Sequence, residues 1–242
     1  LSAKATVSAG RLSLVSWRVE AMIVEDQGAV IAFLSRPQTY GLADAVEIME
    51  THISKIFLAG SRVVKLKRAV RLPYVDFSTP ALRLKACTEE VIRNSKTAPG
   101  LYLGVRRVTL GADGALAFDG AGEVIDAVVE MVRFNQQSLL DRMALAGELT
   151  PQLLDDTARM IADFHASSPV TRGSGGAENI ANVLSINEAG FATSHVFRPS
   201  ELSDFHAAFR NALQRHEALL DRRAKSGKVR LCHGDLHLRN IC

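Results

Sequence analysis

His233-Gly234-Asp235-Leu236-His237-Leu238-Arg239-Asn240 is the stretch that decides how this chain is read. Its carboxylate and its carboxamide, Asp235 and Asn240, stand five positions apart, and His233 lies two before the aspartate. Phosphoryl transfer calls for this pair of residue types. It needs a carboxylate that orients or deprotonates an attacking hydroxyl, and an oxygen donor for the magnesium ion that bridges the phosphates. The spacing matches catalytic loops in which an asparagine follows the base by five positions. A second reading takes His233, Asp235 and His237 as alternating metal ligands on one side of a strand. No second His, Asp or Cys cluster in the sequence completes such a site, and His165, His195, His206 and His216 are scattered. The apolar run Val229-Arg230-Leu231-Cys232 predicts a short strand that leads into the loop and fixes it.

Beyond the loop, 242 residues with 47% hydrophobic content suit one large domain or two lobes, each with its own core. Lysine and arginine total 29 against 26 acidic residues, and the resulting +3 is spread along the chain. Nucleic acid is not implied, and a few cations at one phosphate site would account for the surplus. No apolar run approaches the roughly 20 residues needed to cross a bilayer, so no membrane partner is expected. Cys87, Cys232 and Cys242 form neither an even set nor a metal-ligand spacing, and nothing reads as a signal peptide, so the cytoplasm is the expected location. The chain opens on Leu1 and closes two residues after Asn240, which reads as a fragment open at both ends.

Residues 1–35 mix polar and apolar positions and read as a leader of uncertain structure, closed by Ser35-Arg36-Pro37. Between 46 and 70, short apolar runs flank Ala59-Gly60-Ser61 and predict a hairpin. Residues 80–96 change to helical spacing, entered through the hydroxyl cap and early proline of Ser78-Thr79-Pro80. Strand-like runs return at 101–110, 115–118 and 123–134, the first two joined by Gly111-Ala112-Asp113-Gly114. After Asn135 the pattern is helical, with helices expected near 152–166 and 200–225, and with His165 on an apolar face as a packed core histidine. Arg172-Gly173-Ser174-Gly175-Gly176 reads as a flexible loop. The order divides into a nucleotide-binding sheet and helix at 36–134 and a helical part at 135–242.

The His-Gly-Asp-Leu-His arrangement resembles the aminoglycoside phosphotransferase, choline kinase and fructosamine kinase group, rather than eukaryotic protein kinases with His-Arg-Asp. Glu50-Thr51-His52-Ile53-Ser54, Lys65-Leu66-Lys67-Arg68, Val75-Asp76-Phe77-Ser78-Thr79 and Ala98-Pro99-Gly100-Leu101-Tyr102-Leu103 look like a bacterial branch of that group, often fused to a P-loop ATP-binding domain. The resemblance covers roughly residues 30–242 and is most specific at 233–240.

It implies an α+β, protein-kinase-like fold of two lobes: an antiparallel sheet with one helix, then an incomplete helical lobe. It also implies an enzyme that uses ATP and Mg2+ to phosphorylate a hydroxyl of a small molecule; the alternative is a non-catalytic nucleotide-binding or regulatory module of the same fold, against which the intact Asp235 and Asn240 argue. Asp235 would be the catalytic base and Asn240 a magnesium ligand. Lys65 and Lys67 both suit the lysine that contacts the α- and β-phosphates, since residues two apart on a strand share a face; the resemblance favours Lys65. Glu89 and Glu90 compete as its helical partner, because adjacent helical residues point about 100° apart; alignment with the family pattern selects Glu90. No Gly-x-Gly-x-x-Gly is present, and Thr51-His52-Ile53-Ser54 offers hydroxyls and N–H groups to phosphate in its place, with Ser54 as the candidate. Adenine is expected against the backbone near Glu130, Met131 and Val132, with Met131 as the candidate contact. A second metal-binding aspartate belongs on a strand after the loop, beyond Cys242, so a piece of this length is expected to be impaired alone.

Overall fold

A computed structural model describes residues 22–171, 175–192 and 196–242. Most of the expected leader, residues 172–174 of the glycine-rich loop, and His195 lie outside the described residues.

The valine-rich run is the centre of the fold. It forms β9 (Glu123–Val132), buried along most of its length and hydrogen-bonded on both edges. On one side it pairs with β4 (Arg62–Lys67), then β3 (Ser54–Ala59) and β2 (Glu47–Glu50); on the other with β7 (Tyr102–Leu110) and β8 (Leu116–Phe118). Every pairing is antiparallel. The expected hairpin is β3–β4, turning at Gly60 between Ala59 and Arg62, which pair directly. A smaller sheet orders β1 (Met22–Ile23), β5 (Val70–Leu72) and β6 (Val75–Asp76).

The two faces of the large sheet are covered by different helices. Phe57, Val64, Leu66, Val108 and Val128 point to one face, where α1 (Gly28–Leu34) supplies Val30 and Leu34. The segment 28–34 was expected in the leader, but it is a helix in the core of the sheet. Seven residues are too few for a helical period to stand out from a plain apolar run, which is why the pattern concealed it. On the other face α2 (Pro80–Asn94) sets Cys87 against Ala127 and Val129. Its start agrees with the sequence reading. Thr79 is the N-cap, its hydroxyl accepts from the Leu82 amide at 3.3 Å, and Pro80 occupies the first turn.

Four helices follow: α3 (Leu140–Ala146), α4 (Pro151–Ser167), α5 (Gly176–Ala192) and α6 (Pro199–Lys225). α5 was not anticipated, and Gly176, read as the end of a loop, is its first residue. A side chain there would meet the Leu220 carbonyl oxygen at 2.1 Å, so glycine permits α5 to start hard against α6. Asp221 accepts from the Ala177 amide at 3.0 Å, and Arg210 pairs with Glu188 at 2.6 Å, which fixes α5 and α6 antiparallel. His165, expected in a core, is half-buried beside Phe164, on a helix with no fully buried residue.

Candidate active site

Strands β3, β4 and β9, helix α2, the C-terminal loop and α4 enclose one cleft of about 760 Å³. It gathers Lys65, Glu90, Met131, Asp235 and Asn240 among its lining residues. Ser54 does not line it: the side chain is buried and its hydroxyl has no hydrogen-bond partner among the described residues. The expectation that Ser54 faces the cleft is therefore corrected. Thr51-His52-Ile53-Ser54 is a tight turn closed on itself, with the Thr51 hydroxyl accepting from the Ser54 amide at 3.0 Å and donating to its carbonyl at 3.1 Å. Arg68 ties the same turn down through the Thr51 and His52 carbonyls, at 3.2 and 3.4 Å.

The pleat of β4 sorts its side chains. Val64 and Leu66 enter the core, and Val63, Lys65 and Lys67 face the cleft. Both lysines then meet the same carboxylate. Lys65 Nζ donates to Glu90 Oε1 at 3.0 Å, and Lys67 Nζ donates to Glu90 Oε2. Glu89, the other candidate partner, instead pairs along its own helix with Arg93 at 2.9 Å and Lys85 at 4.0 Å. Burial opposes charge on Glu90, but the two ammonium groups outweigh it and hold the carboxyl below its ordinary value. Burial likewise works against the Lys65 charge, and Glu90 reverses the balance, so the lysine pKa is raised. Cys87, one turn before Glu90, is pushed up to about 12 by burial and is an inert thiol of the core.

Of the three residues expected near adenine, Met131 alone reaches the cleft. Glu130 points to the opposite face of β9, where it pairs with Arg62 at 2.6 Å and Arg106 at 3.5 Å. Alternation along the strand separates these neighbours.

The C-terminal loop is built from local bonds. The approach at 229–232 is not a strand but a single bridge, Val170 to Arg230, with the Thr171 and Leu231 amides bonded to Val229 and Pro169 carbonyls at 2.9 and 3.0 Å. Arg230 adds an anchor that sequence reasoning missed, donating to the Ala166 and Ser168 carbonyls at the end of α4, at 2.8 and 2.7 Å. Gly234 then turns the chain with φ of +82°, a conformation side chains disfavour although the space around it is open. The Asp235 amide donates to His233 Nδ1 at 3.3 Å, and the Arg239 amide donates to His237 Nδ1 at 3.2 Å, capping a short 3-10 turn at Leu238–Asn240. His237 also turns its Nε2 toward the functional pair, 3.2 Å from Asn240 Nδ2 and 3.7 Å from Asp235 Oδ2.

Asn240 returns to Asp235. Its Nδ2 donates to the Asp235 carbonyl at 2.9 Å and to the carboxylate at 3.0 Å. The spacing of five thus closes on itself in space. The loop is docked on α3 by the Leu140 amide, which donates to the Ile241 carbonyl at 2.9 Å, and by Arg239 with Asp141 at 3.6 Å.

A sheet lobe that presents a lysine–glutamate pair across a cleft from an aspartate–asparagine loop on a helical lobe defines a protein-kinase-like phosphotransferase fold. The chain belongs to the phosphotransferase enzyme family, whose model matches residues 114–242. It is also 32% identical over 120 residues to uncharacterized proteins of Mycobacterium bovis and of two strains of Mycobacterium tuberculosis, CDC 1551 and H37Rv. Those alignments take in 50% of this chain and 22% of each relative, so the chain spans well under half the length of the curated relatives it matches. No solved structure matches it. Among the described residues no helix is long and apolar enough to cross a membrane.

Proposed function

We propose that this chain is the nucleotide-binding and catalytic part of an ATP-dependent kinase that transfers the γ-phosphoryl group to a hydroxyl of a small molecule. The observation that carries this reading is the convergence of Lys65, Glu90, Asp235 and Asn240 on one cleft, from segments up to 175 positions apart in the chain. Lys65, held by Glu90, would contact the α- and β-phosphates, and Met131 would pack against adenine. Asp235 would accept a hydrogen bond from the acceptor hydroxyl and take its proton as the new O–P bond forms.

Magnesium fits the donor set on the loop side, where Asn240 Oδ1 and the Asp235 carboxylate are hard oxygen donors. Asn240 is the residue that would hold it. When bound, magnesium would supply positive charge that offsets the charge of the phosphates. The whole protein's acceptor, and a fused P-loop ATP-binding domain, belong to the same proposal, supported by the family resemblance and by the greater length of the relatives.

Calorimetric titration with MgATP tests the nucleotide half of the reading. Wild type binds, and Lys65→Met weakens binding by about tenfold or more, the loss of one charge-assisted contact to phosphate. An absence of binding by wild type would contradict the proposal.

A further inference from the structure

Two ammonium groups facing one carboxylate leave a net positive charge on the wall of the cleft, and among the described residues no other carboxylate forms an ion pair with Lys65 or Lys67. The two lysines are not equivalent. The Lys65 side chain is 29% exposed, Lys67 8%, and the Glu90 they share 12%. Lys67 also lies over the ring of Phe77, 5.6 Å from its centroid. Its own carbonyl accepts from Gln27 Nε2 at 3.0 Å, and Gln27 is in turn bonded to Asp126 at 2.7 Å and to the Ala69 amide at 2.8 Å. Lys67 is therefore fixed deep in the lobe, whereas Lys65 stands nearer the open cleft.

We propose that Lys67 is a positioning residue that keeps Glu90 charged and in place, so that Lys65 can engage the phosphates without stripping a buried carboxylate of its only counter-ion. This deepens the nucleotide-binding reading above and rests on it. With Lys67 absent, any movement of Lys65 toward a phosphate would leave Glu90 uncompensated in a poorly solvated place, and Lys65 would be held back.

The groups that face Glu90 are Lys65 and Lys67 from β4, Tyr102 from β7 and Cys87 from its own helix, with His233, Asp235 and Arg239 lining the far side of the cleft. Only the two lysines lower its pKa. Removing Lys67 raises it, and protonated Glu90 no longer orients Lys65, so the acid limb of nucleotide binding moves to higher pH.

The test is calorimetry of the chain with the magnesium complex of a non-hydrolysable ATP analogue, across the mildly acidic to neutral range. Lys67→Met keeps the apolar stem, and its fold is checked by thermal unfolding. Its affinity falls by about tenfold at neutral pH, as for loss of one ionic hydrogen bond, and by more as the solution is acidified. Lys67→Arg, which keeps the charge, recovers most of the affinity and the wild-type pH profile. Lys67→Met binding as wild type at every pH would overturn the proposal. A uniform loss with an unmoved pH profile would overturn it too, as would failure of Lys67→Arg to recover. Wild type failing to bind the analogue at all would instead sink the parent reading, and this one with it.

Discussion

Asp235 is exposed, and what positions it is the loop's own bonding: the left-handed turn at Gly234, the His233 ring behind its amide, and the Asn240 amide on its carboxylate. Because open space surrounds Gly234, substitutions there act through backbone conformation alone. Gly234→Ala is expected to cost roughly 1 kcal/mol, Gly234→Asn less, and Gly234→Val more, since a branched side chain tolerates positive φ least. Chemical denaturation of the three variants checks that order. Glu90 gives a second prediction. Its folded pKa lies below its ordinary 4.5, so its ionised form contributes stability that is present above pH 4.5 and lost as pH falls through the lowered value. The stability gap between wild type and Glu90→Gln should therefore close in acid, as read from unfolding curves at stepped pH. Asp235 and Asn240 were legible from sequence because their relation is local, five positions along one loop. The Lys65–Glu90 relation spans strand and helix, and alternation could name two lysines without choosing between them. The fold made both partners of one carboxylate. Ser54 misled because a hydroxyl beside a turn looks the same in sequence whether it faces a ligand or is buried, as here.

At the scale of elements, α2 carries Glu90 and must be held at a fixed height on the sheet. Arg83 does this. It is fully buried, donating to Asp126 of β9 at 2.8 Å, to Glu25 at 2.8 Å and to the Phe77 carbonyl at 3.1 Å. Arg83→Met would leave Asp126 buried with only Gln27 and the Ala127 amide, and is expected to cost about 3 kcal/mol. Arg83→Lys should not restore it, because a single ammonium cannot reproduce the planar fork. Urea unfolding decides both. α1 makes the companion case: Leu34→Ala opens a hole under the sheet and should cost 2 to 5 kcal/mol, roughly the range for buried leucines. The β3–β4 hairpin, the strands at 101–110, 115–118 and 123–134, and α2 with its cap were readable from turn residues and a change of period, whereas the order of strands in the sheet, with β9 between β4 and β7, was not. α1 and α5 were not, one for its length and one because it starts on Gly176 directly after a glycine-rich run that reads as loop. The strand expected at 229–232 failed because its pairing ends after one bridge, and Arg230 spends its side chain on the end of α4.

For the molecule as a whole, the cleft exists because the two lobes meet around it. Leu139 and Phe134 connect them along the chain, and the loop closes back onto α3. A ligand that bridges lysines on one wall and Asp235 with Asn240 on the other should stabilise the assembled form. At a hundredfold excess over its dissociation constant, MgATP should add about 2.7 kcal/mol, visible as a higher melting temperature that Lys65→Met diminishes. That strands come first and helices after was legible from the order of periods along the sequence, whereas the meeting of segments 65, 90, 131 and 235–240 required the fold. The measurement that bears most directly on the central claim is phosphoryl transfer from γ-labelled ATP by the full-length protein, across a panel of sugars, aminoglycosides and amino alcohols. Wild type should label an acceptor, and Asp235→Asn should lose transfer by roughly 10²- to 10⁴-fold while still binding MgATP, the range for removing a general base. Equal rates for wild type and Asp235→Asn would contradict it.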